Sequence, residues 1–175
     1  MGKSYIDIVV KYSDIIEKVK VHLALMGKRA RDQNGNSLFS ELTTSTAEDA
    51  KVWSDLVNLG AETLVGTITP ITGSYTTSTN ELSFKLISTR WKLEGEENAM
   101  DISRALAPAI HKYLWMFTVY QYLAIIRPSG DYAQTYSNAC DQELLTIRNI
   151  GMTKRAPKTE TPKYSSITGE IINED

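Results

Sequence analysis

Residues 101–126 read DISRALAPAIHKYLWMFTVYQYLAII, and this stretch decides the fold because it is the longest run of helically spaced apolar side chains. The apolar positions recur every three or four residues, as they do in a helix that is buried along one face. We predict that this helix begins at Asn98 or Asp101 and ends at Arg127-Pro128, and that Pro108 either kinks it or marks its true first turn. Its stripe consists of Ile102, Leu106, Ile110, Tyr113, Leu114 and Phe117, with Tyr120 and Gln121 at the end.

Three further helices are predicted from their starting signals. Asp131-Tyr-Ala-Gln134 and Ser45-Thr-Ala-Glu48 are capping boxes, in which the first and fourth side chains can serve the N–H groups of a first helical turn. The helix behind the first box ends at Gly151, and the helix behind the second runs to about Leu64. Another helix starts at Ser13-Asp14. The buried stripe of that N-terminal helix consists of Ile16, Val19, Leu23 and Met26.

Elsewhere the apolar residues alternate, which is typical of strands. Residues 4–11 form a short strand in this interpretation, and residues 65–71 and 81–93 form the two strands of a hairpin. The second hairpin strand places Leu82, Phe84 and Leu86 on one face, and we expect a bulge near Ile87. Residues 72–80 join the two strands and are mostly Gly, Ser and Thr, so they should project into solvent or onto a partner.

The 175 residues are enough for one domain, and 42% apolar with 23% charged residues is ordinary for a globular protein. We predict an α+β fold that is mainly α: a bundle of about four helices with a β-hairpin insertion at about residues 65–93. This domain spans residues 1–151. Residues 152–175 lose the periodicity and contain Pro157 and Pro162, so we predict an extended C-terminal tail there.

Charge and cysteine content limit the environment of the chain. The formal net charge is −2, so the chain as a whole does not attract nucleic acid or acidic lipid. The single cysteine, Cys140, cannot form an internal disulfide, which favours a reducing compartment. We find no signal peptide, and the longest apolar block, residues 113–126, is too short to span a bilayer. We therefore expect a soluble protein that does not engage a membrane.

No set of residues predicts a catalytic or metal-binding centre. His22 and His111 each fall on a predicted helix, where packing is a commoner role than catalysis or metal binding. Four carboxylates near the start of the long helix could hold a cation, but a solvated first helical turn explains them better. They are Glu94, Glu96, Glu97 and Asp101. Cys140 is better explained as part of the core. We predict that the protein is not an enzyme and needs no cofactor or metal.

Two parts of the sequence are predicted to bind partners. The tail suits an extended peptide that docks on another protein, and residues 165–172 suit the addition of a strand to a sheet. The candidate partner-binding residues of the tail are Lys154, Arg155, Lys158, Lys163, Tyr164, Ile167 and Ile171. Those of the hairpin loop are Tyr75, Thr76 and Thr77.

The aromatic side chains of the long helix point in several directions around its axis. Either some of them leave the core and form a protein interface, or the helix is buried on most of its sides. The sequence leaves both interpretations open. The residues concerned are Tyr113, Trp115, Phe117, Tyr120 and Tyr122.

The order of the predicted elements resembles that of the head–tail connector proteins (adaptor or neck-ring proteins) of tailed bacteriophages, especially those of Bacteroidetes phages and prophages. The likeness covers about residues 4–158. It is carried by Lys11-Tyr12-Ser13-Asp14-Ile15, by residues 39–49 leading into a Trp-bearing helix, and by the helix pair at 114–126 and 131–148. The end of the tail, residues 167–175, departs from the family in being longer and less basic.

The resemblance implies a structural protein of the virion neck, assembled in the cytoplasm of the bacterial host. Such a protein forms a homo-oligomeric ring, by family resemblance a dodecamer, that joins the portal to the phage tail. Its partners are the portal protein and other neck or tail proteins, with the C-terminal tail commonly reaching the portal. DNA passes through the bore of the ring without sequence recognition. The resemblance carries over no catalytic residues.

Two alternatives stay open on the sequence. A nucleic-acid-binding regulatory protein would need a basic helix face, which only residues 28–31 and the tail offer. A small enzyme or enzyme accessory would need two close carboxylates in a concave pocket.

Overall fold

The computed structural model describes residues 5–29, 34–35, 47–68, 71–88, 91, 96–126 and 131–152. Along the chain the elements are β1 (Ile6–Lys11), α1 (Tyr12–Arg29), α2 (Ala47–Thr67), β2 (Ile71–Thr77), β3 (Glu81–Ser88), α3 (Glu96–Ile126) and α4 (Asp131–Met152). The described part of the chain therefore holds four helices and three strands. The predicted α+β fold, mainly α, with four helices and a hairpin is confirmed.

The three strands form one antiparallel sheet in the order β1-β3-β2. β1 pairs with β3 so that Ile6 faces Leu86, and β2 pairs with β3 so that Ile71 faces Ser88. Buried and exposed residues alternate strictly along β1, which means that one face of the sheet packs on the helices and the other faces solvent. The predicted strand at residues 4–11 is confirmed over the described part, from Ile6.

The hairpin lies further along the chain than predicted. Residues 65–67, predicted as strand, complete α2, and residues 72–77, predicted as the connection, form most of β2. The turn is confined to residues 78–80. Thr has a high preference for strands, and a strand with one solvated face tolerates polar side chains, so a Thr-rich run can be an edge strand as readily as a loop. The bulge expected near Ile87 is also absent from the described hairpin, because Ile87 pairs with Thr72 in unbroken register.

The long helix starts earlier than either predicted residue. α3 begins at Glu96, so Pro108 lies inside the helix and the interpretation that it marks the first turn is wrong. α4 continues through Gly151 to Met152, and residues 153–175, which hold most of the predicted tail, lie outside the described residues. The capping box at Ser45 lies outside the described residues, whereas α2 itself is present from Ala47.

α3 forms the centre of a single core to which all seven elements contribute. Its predicted stripe is confirmed: Ile102, Leu106, Ile110 and Leu114 are each fully buried. Each such side chain contributes roughly 1.5–3 kcal/mol relative to an exposed one. α3 packs against α1, α2, α4 and β1, so it is buried on most of its sides. The sheet contacts α3 through β1 and α2 through β2, and α4 packs against α3.

Candidate protein-interaction surfaces

β2 is an edge strand with little to discourage another strand from pairing with it. Among the residues that the structure describes, β3 is the only strand that pairs with it. Its sequence, ITGSYTT, carries no charged residue and no proline. Natural edge strands usually carry such residues, because an unpaired row of N–H and C=O groups otherwise invites another chain. The β2 edge is therefore the best candidate for β-strand addition in the described structure.

Tyr75, Thr76 and Thr77 lie on this strand and not in a projecting loop, which corrects their predicted setting. The Tyr75 ring is half-buried, with its centroid 6.1 Å from that of Phe84 on β3. Thr76 and Thr77 are exposed. Tyr75 therefore packs against the sheet. Of the three predicted partner-binding residues of the hairpin, Thr76 and Thr77 are the ones that a partner can reach.

The tip of the hairpin is held against the start of α1. The backbone N–H of Tyr12 donates to the carbonyl oxygen of Asn80 at 3.0 Å, and the Ser78 hydroxyl accepts a hydrogen bond from the N–H of Glu81 at 3.1 Å. The turn at 78–80 is exposed all the same. The turn is therefore both exposed to solvent and joined to the start of α1.

The base of the hairpin is joined to the end of α4. The buried hydroxyl of Ser88 donates to the carbonyl oxygen of Gly151 at 2.9 Å, and the indole N–H of Trp91 donates to that of Ile150 at 3.3 Å. Because Ser88 faces Ile71 across the hairpin, the chain leaves α4 close to the first residue of β2. The tail residues predicted to bind a partner all lie beyond this point and outside the described residues. They are Lys154, Arg155, Lys158, Lys163, Tyr164, Ile167 and Ile171.

The solvent face of the sheet mixes polar and apolar side chains. Val9 on β1 and Ile87 on β3 are exposed, and Thr76 lies on the same face. The Lys85 ammonium lies 3.8 Å from the centre of the Tyr5 ring, which is a cation–π contact. This face adjoins the β2 edge, so a strand added there would extend a surface that is already partly apolar.

The aromatic side chains of α3 are used mainly inside the protein. Tyr113 and Phe117 are buried, and Trp115, Tyr120 and Tyr122 are partly buried against the core. Tyr122 lies with its ring centroid 4.3 Å from that of Trp53 on α2. Of the two interpretations left open by the sequence, burial on most sides describes this helix better than an exposed aromatic interface.

His22 belongs to a packed aromatic cluster between three helices. Its ring stacks on Trp115 with centroids 4.2 Å apart, and its Nδ1 lies 3.3 Å from the hydroxyl of Tyr136. Burial, with a smaller effect from Lys18, lowers the pKa of His22. The packing role predicted for this histidine agrees with these contacts.

His111 lines an open groove of about 350 Å³ together with Asp14, Glu17, Lys18 and Val21. Burial lowers the pKa of His111, while nearby Asp14 opposes that effect. In the described part of the chain no three His, Cys, Asp or Glu side chains are grouped so that they could hold a metal ion. Asp101, the fully described member of the predicted acidic cluster, lies 3.8 Å from Arg104. The groove therefore offers charged side chains of both signs beside His111.

Cys140 and Glu143 lie on the buried side of α4. Burial, with smaller effects from Asp141 and Glu143, raises the pKa of the Cys140 thiol to about 12, so the nucleophilic thiolate is suppressed. The Glu143 carboxylate, though buried, lies 2.7 Å from the ammonium of Lys112 on α3. Both residues are explained by the packing of α4 against α3.

Comparison with protein-family models, curated proteins and solved structures finds no match for this chain. Within the described residues, every helix is too short or too polar to cross a membrane.

Proposed function

We propose that this chain is a structural assembly protein of a tailed-phage virion that forms a neck ring between the portal and the tail. The observation that carries the proposal is that two attachment points lie at opposite ends of one hairpin. The turn at 78–80 lies at one end of β2 and β3, and the exit of the C-terminal tail lies at the other, beside Ser88.

A ring needs such unlike surfaces on every copy. Head-to-tail interfaces close into a ring only when two different patches of neighbouring copies meet. A third surface is then required to hold the ring on the portal. In the proposal, the hairpin and the β2 edge serve contacts within the neck, and the tail docks on the portal.

The helical core suits this role because packing, an ion pair and hydrogen bonds join its elements. α3 is buried on most sides and joined to α4 by the Lys112–Glu143 ion pair, and the sheet is tied to α4 by Ser88 and Trp91. These contacts support the proposal because they hold the hairpin and the end of α4 in one arrangement, from which both attachment points start.

The test is to locate the chain in particles made by the phage or prophage that encodes it. Gold-labelled antibody against the chain should bind purified particles at the junction between head and tail, and mass spectrometry should find the chain in those particles. Absence of the chain from intact tailed particles would overturn the proposal.

Two variants separate the attachment points. Deletion of residues 153–175 should leave a folded domain that no longer co-sediments with portal-bearing heads. Placing arginine at Thr77 and Thr79 should leave this docking intact and disturb contacts within the neck, because both residues are exposed at the tip end of the hairpin. Normal incorporation of both variants would contradict the assigned roles.

A further inference from the structure

We infer that copies of this chain join through one head-to-tail interface, in which β2 and α2 of one copy contact β1 and α1 of the next. The inference rests on the proposed function, because a ring requires two different contact faces on each copy, and it names those faces. Two independent observations carry it. The described sheet ends in two unlike edge strands, and α1 and α2 each carry an exposed stripe of apolar and charged residues.

β1 and β2 are the edge strands of the described sheet, because β3 lies between them and is the only described strand that pairs with either. They have nearly equal lengths, six and seven residues. In an antiparallel ladder, alternate residues of an edge strand direct their N–H and C=O groups outwards. When β2 of one copy pairs with β1 of the next, the second copy keeps its own β2 for a third copy. Such pairing continues around a ring, whereas pairing of β2 with another β2 ends at a dimer.

The side chains of the two edges match when the strands lie together. The charged residues of β1, Asp7 and Lys11, lie on its solvent face, and β2 has no charge that could repel them. Gly73 and Thr77 share the helix-facing side of β2 with buried Ile71, yet both are exposed. The described chain therefore leaves the apolar side of the sheet uncovered beyond β2. The next copy's β1 would continue that side with its apolar row, which is Ile6, Ile8 and Val10.

Each edge strand comes with one helix. α1 begins at Tyr12, directly after β1, and α2 packs against β2, which follows it in the chain. Because β1 and β2 lie at opposite edges of the sheet, these two helices belong to different faces of the protein. Pairing β2 with the next copy's β1 therefore brings α2 of one copy towards α1 of the next.

The outer side of α2 carries what we call the α2 stripe. Its four residues are spaced three or four positions apart, so they lie along one side of the helix, and all four are exposed. Two of them are large and apolar and the other two are acidic. They are Val52, Asp55, Leu59 and Glu62.

The outer side of α1 carries the α1 stripe, which consists of Lys18, Val21 and Leu25. The three residues share one side of the helix and are exposed. Val21 follows Tyr12 by nine positions, which places it on the opposite side of α1. The Tyr12 hydroxyl donates to the side-chain oxygen of Asn58 on α2. The α1 stripe therefore faces away from α2 of its own copy and can meet that of another.

The two stripes are complementary in charge and spacing. Lys18 precedes Val21 by three positions, and Glu62 follows Leu59 by three positions. In an antiparallel contact, Lys18 therefore lies beside Glu62 when Val21 packs against Leu59. Two α2 stripes facing each other would instead bring four carboxylates into one contact, which is unfavourable. The charges thus favour the contact between unlike stripes.

Cysteine cross-linking between two single variants tests the pairing of the strands. Full chains carrying Val9→Cys are mixed in turn with tagged full chains carrying Thr72→Cys, Ser74→Cys or Thr76→Cys, alone and on portal rings. All four positions lie on the solvent face of the sheet, and the three on β2 cover its possible registers. Buried Cys140 does not interfere because its thiol stays protonated.

At least one mixture should give a mixed disulfide at roughly ten times the level of a control mixture with Leu145→Cys, because the interface raises the effective concentration of the two thiols. Leu145 is exposed on α4, outside the proposed interface. Mixed disulfides at the control level in all three mixtures would overturn the inference. So would cross-linking of one variant with itself in preference to the other variant.

Exchange of charges tests the contact between the helices. Lys18→Glu and Glu62→Lys should each weaken the association of copies by about fivefold, measured by light scattering. The double variant Lys18→Glu/Glu62→Lys should recover most of the association, because opposite charges meet again. Lys20→Glu is the matched control, since Lys20 is exposed on another side of α1. An equal loss in the control, or no recovery in the double variant, would overturn the inference.

Mass spectrometry of purified particles separates this inference from the proposed function. A chain that is present in particles but gives no mixed disulfide would overturn the inference and leave the proposed function standing. A chain that gives the mixed disulfide but is absent from particles would overturn the proposed function and uphold the interface.

Discussion

The hydroxyl of Ser88, the last residue of β3, donates a 2.9 Å hydrogen bond to the carbonyl of Gly151 in the last turn of α4. The last carbonyls of a helix have no partner within the helix, so the sheet serves α4 as a C-terminal cap. The indole of Trp91 donates to the neighbouring carbonyl of Ile150 in the same way. Two hydrogen bonds therefore join the base of the hairpin to the end of α4, from which the tail continues.

Replacing Ser88 with Ala should lower the free energy of unfolding by about 1–2 kcal/mol, because it leaves a buried carbonyl without this partner. Thr135→Ala is the matched control, since the exposed Thr135 hydroxyl also bonds a helical carbonyl, that of Asp131. Its effect should stay within about 0.5 kcal/mol. Urea denaturation measures both values, and equal effects would show that the Ser88 contact does not cap α4.

Gly73 is required where β2 meets β3. A Cβ atom at this position would lie 2.5 Å from the carbonyl oxygen of Lys85 and 2.8 Å from Leu86 Cδ2. Gly73→Ala should therefore cost about 1–3 kcal/mol of unfolding free energy. Gly66→Ala is the control: a Cβ there meets nothing within 4 Å, and the substitution in α2 should stabilise by about 0.5–1 kcal/mol. Thermal and urea denaturation should give opposite signs for the two variants, and a neutral Gly73→Ala would count against the observed register.

Leu114 occupies the middle of the core, where its side chain is fully buried. Leu114→Ala should cost about 2–5 kcal/mol, because the truncation loses apolar burial and leaves a cavity. Leu145 on α4 is 47% exposed and provides a matched control. Leu145→Ala should change the unfolding free energy by no more than about 0.5 kcal/mol. Similar losses in the two variants would contradict the placement of α3 at the centre.

The two histidines should make the protein less stable in mild acid. Burial holds the pKa of His22 and of His111 below the ordinary value of about 6.5. Above that pH both states are neutral at these sites, so pH has no effect through them. Below that pH the histidines of the unfolded chain bind protons before those of the folded chain do. The free energy of unfolding therefore decreases as the pH decreases, until the pH passes below the folded-state pKa values.

The variant His22→Gln/His111→Gln measures this contribution. Its unfolding free energy should change less between pH 7 and pH 5.5 than that of the unmodified chain, because glutamine does not titrate. His22→Gln alone and His111→Gln alone should each remove part of this change in unfolding free energy between pH 7 and pH 5.5. The same pH dependence in the unmodified chain and in the double variant would exclude the histidines as its source.

The helices were predictable because their apolar spacing is long and regular, whereas the bounds of the hairpin strands were not. Residues 72–77 are Thr, Gly, Ser and Tyr, a composition shared by exposed loops and edge strands, and only pairing with β3 distinguishes the two. The predicted stripe of α1 contains a smaller error. We predicted that Ile16 is buried, whereas its neighbour Ile15 is the fully buried residue. Two adjacent isoleucines both fit a helical stripe, and the packing of α1 against α3 chooses between them.

The contacts that define the candidate surfaces depend on residues far apart in sequence. Trp115 and Tyr136 surround His22 although they lie on other helices, and Ser88 meets Gly151 across 63 positions. Local patterns assign each residue to a helix or a strand but say nothing about such neighbours. The exit of the tail beside β2 therefore became visible only in the folded arrangement.

Light scattering tests the central claim most directly, using portal rings assembled from the portal protein encoded in the same genome. The account predicts that the full chain raises the mass of the portal by the mass of a ring of copies. It also predicts that the chain lacking residues 153–175 stays folded and adds nothing. A portal mass unchanged by the full chain, together with tight and sequence-specific binding of duplex DNA by the chain alone at moderate salt, would contradict the account and favour a regulatory protein.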